Sequence, residues 1–485
     1  MDCRYSHHEK KVFLLESIKA CGERKDLGKA IRIHADILRW EDLNPYKKDI
    51  CIHNALISMY TKCGHLVKAQ EVFDQIPTPS PVSWNALISG YTQNGLHHLA
   101  LNYFRLMQEK GISPNSVTFT CILKACGSLR LAKEGETIHA EIKKRGLLLT
   151  ERNVVLGTAL VDMYSKCGLH VKAREMLDEL PIRNIVSWNA LLVGYIRDGL
   201  VYEAIKCFEK LRQEGLSPDG VTFVCMLKAC GISKSIEVGE EIYGEVRRRQ
   251  GLLEKDVVLG NALVDMYVKC GEVWKAREVF NELDVHDIVT WNALIGGYVH
   301  CGYSDEALEC LGQMRDEGIS PDSITYTSIL KACGSIGLIQ KGEEIHAMVK
   351  KLGLLEDDVV LNTALIDMYA KCGVLQKAQA VFNNLQVRNV ISWNALIVGY
   401  AQTGHWCQVL KLLHKFQKTS MKPGSSMFLS VVKACDNIET IDYGRLLHGQ
   451  IMYWGYESEM QLGNALINMY GNVGDVHDAS KVFDN

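Results

Sequence analysis

Proline is scarce in this chain, 9 among 485 residues, so few positions interrupt a helix. Its 17 cysteines never stand two residues apart, which excludes a CxxC redox pair and a CxxC zinc half-site. They are expected to be reduced, small, buried hydrophobes. No apolar run approaches the roughly 18–20 residues that a membrane-spanning helix needs, so no membrane partner is expected. A surplus of charge of one sign is also missing: 54 Lys and Arg stand against 57 Asp and Glu, a net charge of -3. Bulk charge therefore does not mark a nucleic-acid binder, and a basic groove would have to be offset by an acidic back. There is no phosphate-binding loop, nucleophile elbow or metal-ligand cluster. Accordingly no catalytic residue, metal, cofactor or small-molecule substrate is expected. Met1 to Lys11 holds neither the apolar core of a signal peptide nor a long Arg/Ser-rich presequence, so no targeting peptide is legible.

What the chain does have is repetition. Its length exceeds the roughly 250–300 residues at which one core stops growing, so it divides into domains or extends as an array. Self-comparison decides for the array. The string SWNAL or TWNAL starts at Ser83, Ser187, Thr290 and Ser392, at intervals of 104, 103 and 102 residues. ACG, or ACD, starts at Ala20, Ala125, Ala229, Ala332 and Ala434. MYxKCG starts at Met59, Met163, Met266 and Met368, with a decayed copy at Met469.

Each unit reads as two helices. Trp84, Leu87, Ile88 and Tyr91 follow helical spacing until Asn94-Gly95, where glycine suits a left-handed cap. Ala100, Leu101, Phe104 and Met107 form a second amphipathic stretch, closed by Gly111 and Pro114. A hairpin this short cannot bury both apolar faces alone, whereas stacked neighbours bury them continuously. The expected fold is all-α, a solenoid of tandem helix-turn-helix repeats. After a stub at 1–10, units of one kind span 81–115, 185–219, 288–322 and 390–424. Those of a second kind span 50–80, 154–184, 257–287 and 359–389, with 460–485 incomplete. A third, variable kind spans 11–49, 116–153, 220–256, 323–358 and 425–459. No polar capping helix is legible at either end, so both ends are expected to be cut.

These strings resemble the pentatricopeptide-repeat family, in the plant subclass that alternates P, L and S motifs, over residues 11–485. SWNALxxGY is similar to its P motif. LKACG followed by GExIHA, as in Leu123–Gly127 and Gly135–Ala140, is similar to its L motif. NALxxMYxKCG, as in Asn54–Gly64, is similar to its S motif. The resemblance implies a right-handed superhelical α-solenoid whose first helices line a groove for single-stranded RNA, one base per repeat. It further implies that the fifth and last residues of a motif select the base and that the second packs against it.

On that reading Asn189/Asp219, Asn261/Asp287 and Asn292/Asp322 each select uracil, and Thr158/Asn184 and Thr363/Asn389 adenine. Asn54/Ser80 selects cytosine and Asn85/Asn115 either pyrimidine. Asn394, paired with Gly424, and Asn464 are further fifth places. The base-sandwiching residues are Val82, Val155, Val186, Val258, Val289, Val360 and Ile391. With L motifs unread (fifth places Leu15, Thr120, Val224, Thr327 and Leu429), the target is C-Y-N-A-U-N-U-U-N-A. Ser426 and Gln461 replace the branched residue near the C-terminus, where base reading weakens. Thr120/Asn153 and Thr327/Asp358 add weak purine preferences.

Other repeated residues have plainer readings. Trp84, Trp188, Trp291 and Trp393 sit on apolar spacing and are expected to pack, as are Cys63, Cys167, Cys270 and Cys372 before their turn glycines. Lys62, Lys166, Lys269 and Lys371 near helix ends complement the helix dipole, with phosphate contact as the alternative. His139-Ala-Glu141 matches half of a zinc-deaminase signature, but the P-C-x-x-C half is missing and His139 recurs as His34 and His346. The expected function is RNA recognition in a mitochondrion, alternatively a chloroplast, as the targeting array of a C-to-U editing factor. A deaminase-bearing protein would then be recruited in trans. The alternative is a peptide-binding scaffold of the tetratricopeptide kind, which would need uniform 34-residue units and a W-x₂-L-G-x₂-Y signature.

Overall fold

The computed structural model describes residues 7–39, 49–148, 153–249, 251–356, 358–419, 421–435, 441–456 and 458–484. Of the stub at 1–10, only residues 7–10 lie within that set. Every described element is a helix, and consecutive helices pack in pairs, apart from the short helix Leu252–Lys255. The chain forms two compact units, Met1–Ser233 and Lys234–Asn485. Within each, a first helix packs against its own second helix and against the first helices of neighbouring hairpins. The fold is an α-solenoid of stacked helical hairpins.

The hairpin at 81–115 shows why these residues fold this way. Ser80 caps the helix Pro81–Gln93, its hydroxyl accepting from the Ser83 amide while the Ser83 hydroxyl accepts from the Ser80 amide. Proline at the first helical position forfeits no helical hydrogen bond. At the far end Gly95 takes φ +76°, the left-handed region that lets the chain reverse into His97–Glu109. Trp84, Leu87, Ile88 and Tyr91 from the first helix bury against Ala100, Leu101, Phe104 and Met107 from the second.

Neighbouring hairpins join through repeated contacts. Phe73 meets Trp84 edge-on at 4.9 Å, and Phe280–Trp291 and Phe382–Trp393 repeat the pair at 4.5 and 4.7 Å. The tryptophans are buried packing residues. Gly90 lies where a Cβ would stand 2.2 Å from Thr61 Cγ2, so only glycine allows that approach. His34, His139, His346 and His448 each share a hydrogen bond with the buried tyrosine of the following MYxKCG-type string, Tyr60, Tyr164, Tyr369 and Tyr470, at 2.8–3.1 Å. Thus His139 is a packing residue bonded to Tyr164. Among the described residues no cluster of His, Cys, Asp and Glu fits a metal ion, and the described cysteines are free thiols. Burial pushes Cys126 up to about 12, which keeps that thiol protonated at neutral pH.

Candidate nucleic-acid interface

The last residue of each motif turns out to be the N-cap of the next motif's first helix. Asn184, Asp287, Asp322 and Asn389 accept from the amide three residues on, at 2.8–2.9 Å. In each case the Ser or Thr at that third position returns a bond to the cap amide, closing a capping box. Asn115 caps the helix Ser116–Leu129 in the same way.

From this cap a network reaches back across about thirty residues to the fifth place. Asn189 Nδ2 donates to Asp219 Oδ1 at 2.9 Å, and the Thr222 hydroxyl donates to Asn189 Oδ1 at 2.8 Å. Asn85, Asn115 and Thr118 repeat the pattern at 3.0 and 2.6 Å. So do Asn292, Asp322 and Thr325, at 3.1 and 2.6 Å. Asn261, Asp287 and Thr290 complete the series, at 3.2 and 2.5 Å. The amide of the fifth-place asparagine is thereby fixed in orientation: its oxygen accepts from a hydroxyl, and one hydrogen of its nitrogen goes to the cap.

Other anticipated pairs are not joined. Thr363 donates to the Val359 carbonyl oxygen at 2.7 Å within its own helix. Ser187 and Ser392, which follow Asn184 and Asn389, donate back to the cap carbonyl at 2.8 Å. Thr158 makes no hydrogen bond to Asn184 among the described contacts. Asn54 Oδ1 is buried without a partner, because the Ser80 hydroxyl pairs with Ser83 instead. Asn394 Oδ1 is likewise orphaned, since Gly424 offers no side chain and Met427 stands where the other networks have threonine. Asn464 lies in the helix Met460–Val473, which has no side-chain cap.

One turn before the fifth places, Val82, Val155, Val186, Val258, Val289, Val360 and Ile391 are 54–66% exposed. Branched apolar side chains are left this open once in each of these motifs. Val117, Val221 and Ile324 occupy the same place in L motifs and are 52–62% exposed, although sequence reasoning had passed them over. It also missed Thr118, Thr222, Thr290 and Thr325. Their signal was the capping-box spacing, a polar cap followed three residues later by a hydroxyl.

Electrostatics follow from the same geometry. Burial pushes the Asp219 carboxyl up, but bonds from the Thr222 amide, the Asn189 side chain and the Thr222 hydroxyl outweigh it and hold the pKa below its ordinary value. Asp287 and Asp322 are held down against burial in the same way. All three are acceptors at neutral pH. Lys166, Lys269 and Lys371 each pair with the aspartate four residues earlier, Asp162, Asp265 and Asp367, at 2.7–2.8 Å. The basic ends of second helices are also tied to protein groups. Arg145 donates to the Pro114 carbonyl oxygen at 2.9 Å, and Arg249 pairs with Glu245 at 2.7 Å.

The PPR repeat model matches residues 51–78, 117–147, 158–185, 261–288, 324–354, 363–390, 391–418 and 464–485. A second model of the PPR repeat family matches 79–128, 183–231 and 286–335. A chloroplastic pentatricopeptide repeat-containing protein of Arabidopsis thaliana is 33% identical over 464 residues, which cover 95% of this chain and 56% of that protein. A mitochondrial one from the same plant is 32% identical over 476 residues, 98% of this chain and 67% of that protein. The chain spans roughly half to two thirds of the length of such relatives. Among solved structures, the pentatricopeptide repeat protein PPR10 in complex with an 18-nt psaJ RNA element superposes with a TM-score of 0.73 at 20% identity. The match covers 90% of this chain and 65% of that one. PPR10 from maize gives 0.60 at the same identity, over 97% and 72%. At that identity the likeness establishes the fold alone. The repeat models, which match well over half of the chain, establish its kinship: the chain belongs to the pentatricopeptide-repeat family.

Proposed function

We propose that this array binds single-stranded RNA and selects bases through its fifth and last residues, with the exposed second-place residues as stacking surfaces. The observation that carries this is the oriented Asn–Asp or Asn–Asn pair held by a threonine hydroxyl. In Asp219, Oδ1 is committed to Thr222 and Asn189, so Oδ2 is left as an acceptor. An acceptor there suits a base whose ring nitrogen carries a proton, as N3 of uracil does, while the second Asn189 amide hydrogen suits its carbonyl. In Asn115 the same commitments use up Oδ1, leaving Nδ2 as a donor. A donor suits a bare ring nitrogen, which favours cytosine over uracil at Asn85/Asn115. Asn184 and Asn389 also cap through Oδ1 and keep a donor for N1 of adenine, next to Thr158 and Thr363.

The function built on this recognition is organellar RNA processing, with the array as the targeting part of a C-to-U editing factor and a deaminase supplied in trans. Relatives named as chloroplastic and mitochondrial support an organelle, and the mitochondrion is the one proposed. PPR10 in complex with RNA supports the ligand class. The test is a gel-shift titration comparing an RNA carrying C-Y-N-A-U-N-U-U-N-A with the same RNA having A and U exchanged at the read positions. A preference of at least about tenfold, about 1.4 kcal/mol, is expected for the first. Equal binding to both contradicts base reading, and binding to neither contradicts RNA as the ligand.

A further inference from the structure

The L motifs carry a feature that base reading leaves unused. Four residues after their fifth places stand Lys19, Lys124, Lys228, Lys331 and Lys433. One helical turn returns a side chain to the same face, so each lysine lies on the face that carries the fifth place. All five are exposed, and none has an ion-pair partner among the described residues. The equivalent place in S motifs holds Asp162, Asp265 and Asp367, which pair with Lys166, Lys269 and Lys371, and the uncharged Ser58 and Asn468, the first of which leaves Lys62 without an ion pair among the described residues. In P motifs it holds the uncharged Ser89, Val193, Gly296 and Val398. The recurring unneutralised cation of this face therefore belongs to the L motif.

The fifth places of these motifs are poor readers. Leu15, Val224 and Leu429 have no polar group, Thr120 gives its hydroxyl to the Ser116 carbonyl oxygen at 2.8 Å, and Thr327 is buried. A strand stacked along such a helix still passes its phosphate by an ammonium on a flexible four-carbon stem.

We propose that the L motifs hold the RNA by its phosphates rather than its bases, with Lys124, Lys228 and Lys331 as contacts, one per three nucleotides. This rests on the RNA reading above. It also fits a chain of net charge -3 that binds a polyanion. Where cations and carboxylates nearly balance, the lysines without a carboxylate matter most.

The experiment measures RNA affinity of the full chain across a salt series for the wild type and for K124Q/K228Q/K331Q. Neutralising one phosphate contact on a single strand contributes about 0.7 to the slope of log K against log salt, so the triple variant is expected to lose about 2. Its preference for the cognate RNA over the A/U-exchanged RNA stays unchanged. K124R/K228R/K331R keeps the slope, and K166Q/K269Q/K371Q changes it much less, because those lysines are already paired. Circular dichroism melting checks that each variant is folded. An unchanged slope in the glutamine variant overturns the proposal and leaves RNA binding intact. A wild type that binds neither RNA overturns both.

Discussion

Two demands fall on the same side chain at the last place of a motif. It caps the next helix, which restricts it to Ser, Thr, Asn, Asp or Gly, and on our reading it also faces a base. In the P and S motifs the residues found there (Ser80, Asn115, Asn184, Asp219, Asp287, Asp322, Asn389 and Gly424) are all capping types, whereas Glu459 at the end of the last L motif makes no side-chain cap. Only the choice between acceptor and donor is left for selectivity. The threonines that tie cap to fifth place are supports rather than readers, and this gives a prediction. Thr222→Val keeps the shape but frees Asn189 Oδ1 and the Asp219 amide, so urea denaturation is expected to show a loss of about 1 kcal/mol. Competition binding should show uracil preference falling severalfold at that one nucleotide and holding at the Asn292/Asp322 nucleotide. The asparagines and valines were legible because they recur. The threonines were not, because a Ser/Thr alternation in SWNAL and TWNAL reads as neutral drift until the bond from Thr290 to Asn261 is seen.

At the scale of helices, two kinds of contact hold neighbouring hairpins together, and both respond to simple tests. Burial lowers the pKa of His34, His139 and His346, and burial raises Tyr60, Tyr164 and Tyr369 to about 12. A histidine whose folded pKa lies below its unfolded value of about 6.5 stabilises fully above that pH, and the contribution is lost as the unfolded chain takes up protons below it. Thermal melts are therefore expected to fall between about pH 7 and pH 5. H34Q/H139Q/H346Q, which keeps a polar partner but does not titrate, should flatten that fall. The second contact is close approach at glycine. A Cβ on Gly399 would stand 2.4 Å from Ala370 Cβ, which cannot move without its backbone. A Cβ on Gly342 would stand 2.6 Å from Met368 Sδ, near the end of a flexible chain. Gly399→Ala is expected to cost about 1–3 kcal/mol in chemical denaturation, and Gly342→Ala less. The helices themselves were legible from apolar spacing and glycine turns. The His–Tyr bond was not, since it joins places about twenty-five residues apart in different motifs.

Taken whole, the chain shows why its net charge says little about where its cations stand. Behind a net charge of -3, Lys166, Lys269 and Lys371 are neutralised in place, whereas Lys124, Lys228 and Lys331 have no ion pair among the described residues. Periodicity revealed the solenoid because each hairpin repeats the same burial problem. It did not reveal which cations were free, because that depends on the residue four places earlier on one helix face.

The central claim, that the last place selects by offering an acceptor or a donor, is tested most directly by Asp219→Asn in a competition series. Asparagine caps a helix as well as aspartate, so the fold is retained. The fifth nucleotide of C-Y-N-A-U-N-U-U-N-A is varied among the four bases against wild type and variant. The account predicts that preference at that nucleotide alone moves from uracil to cytosine by about tenfold, about 1.4 kcal/mol. An unchanged uracil preference, or an equal loss for all four RNAs, would contradict it.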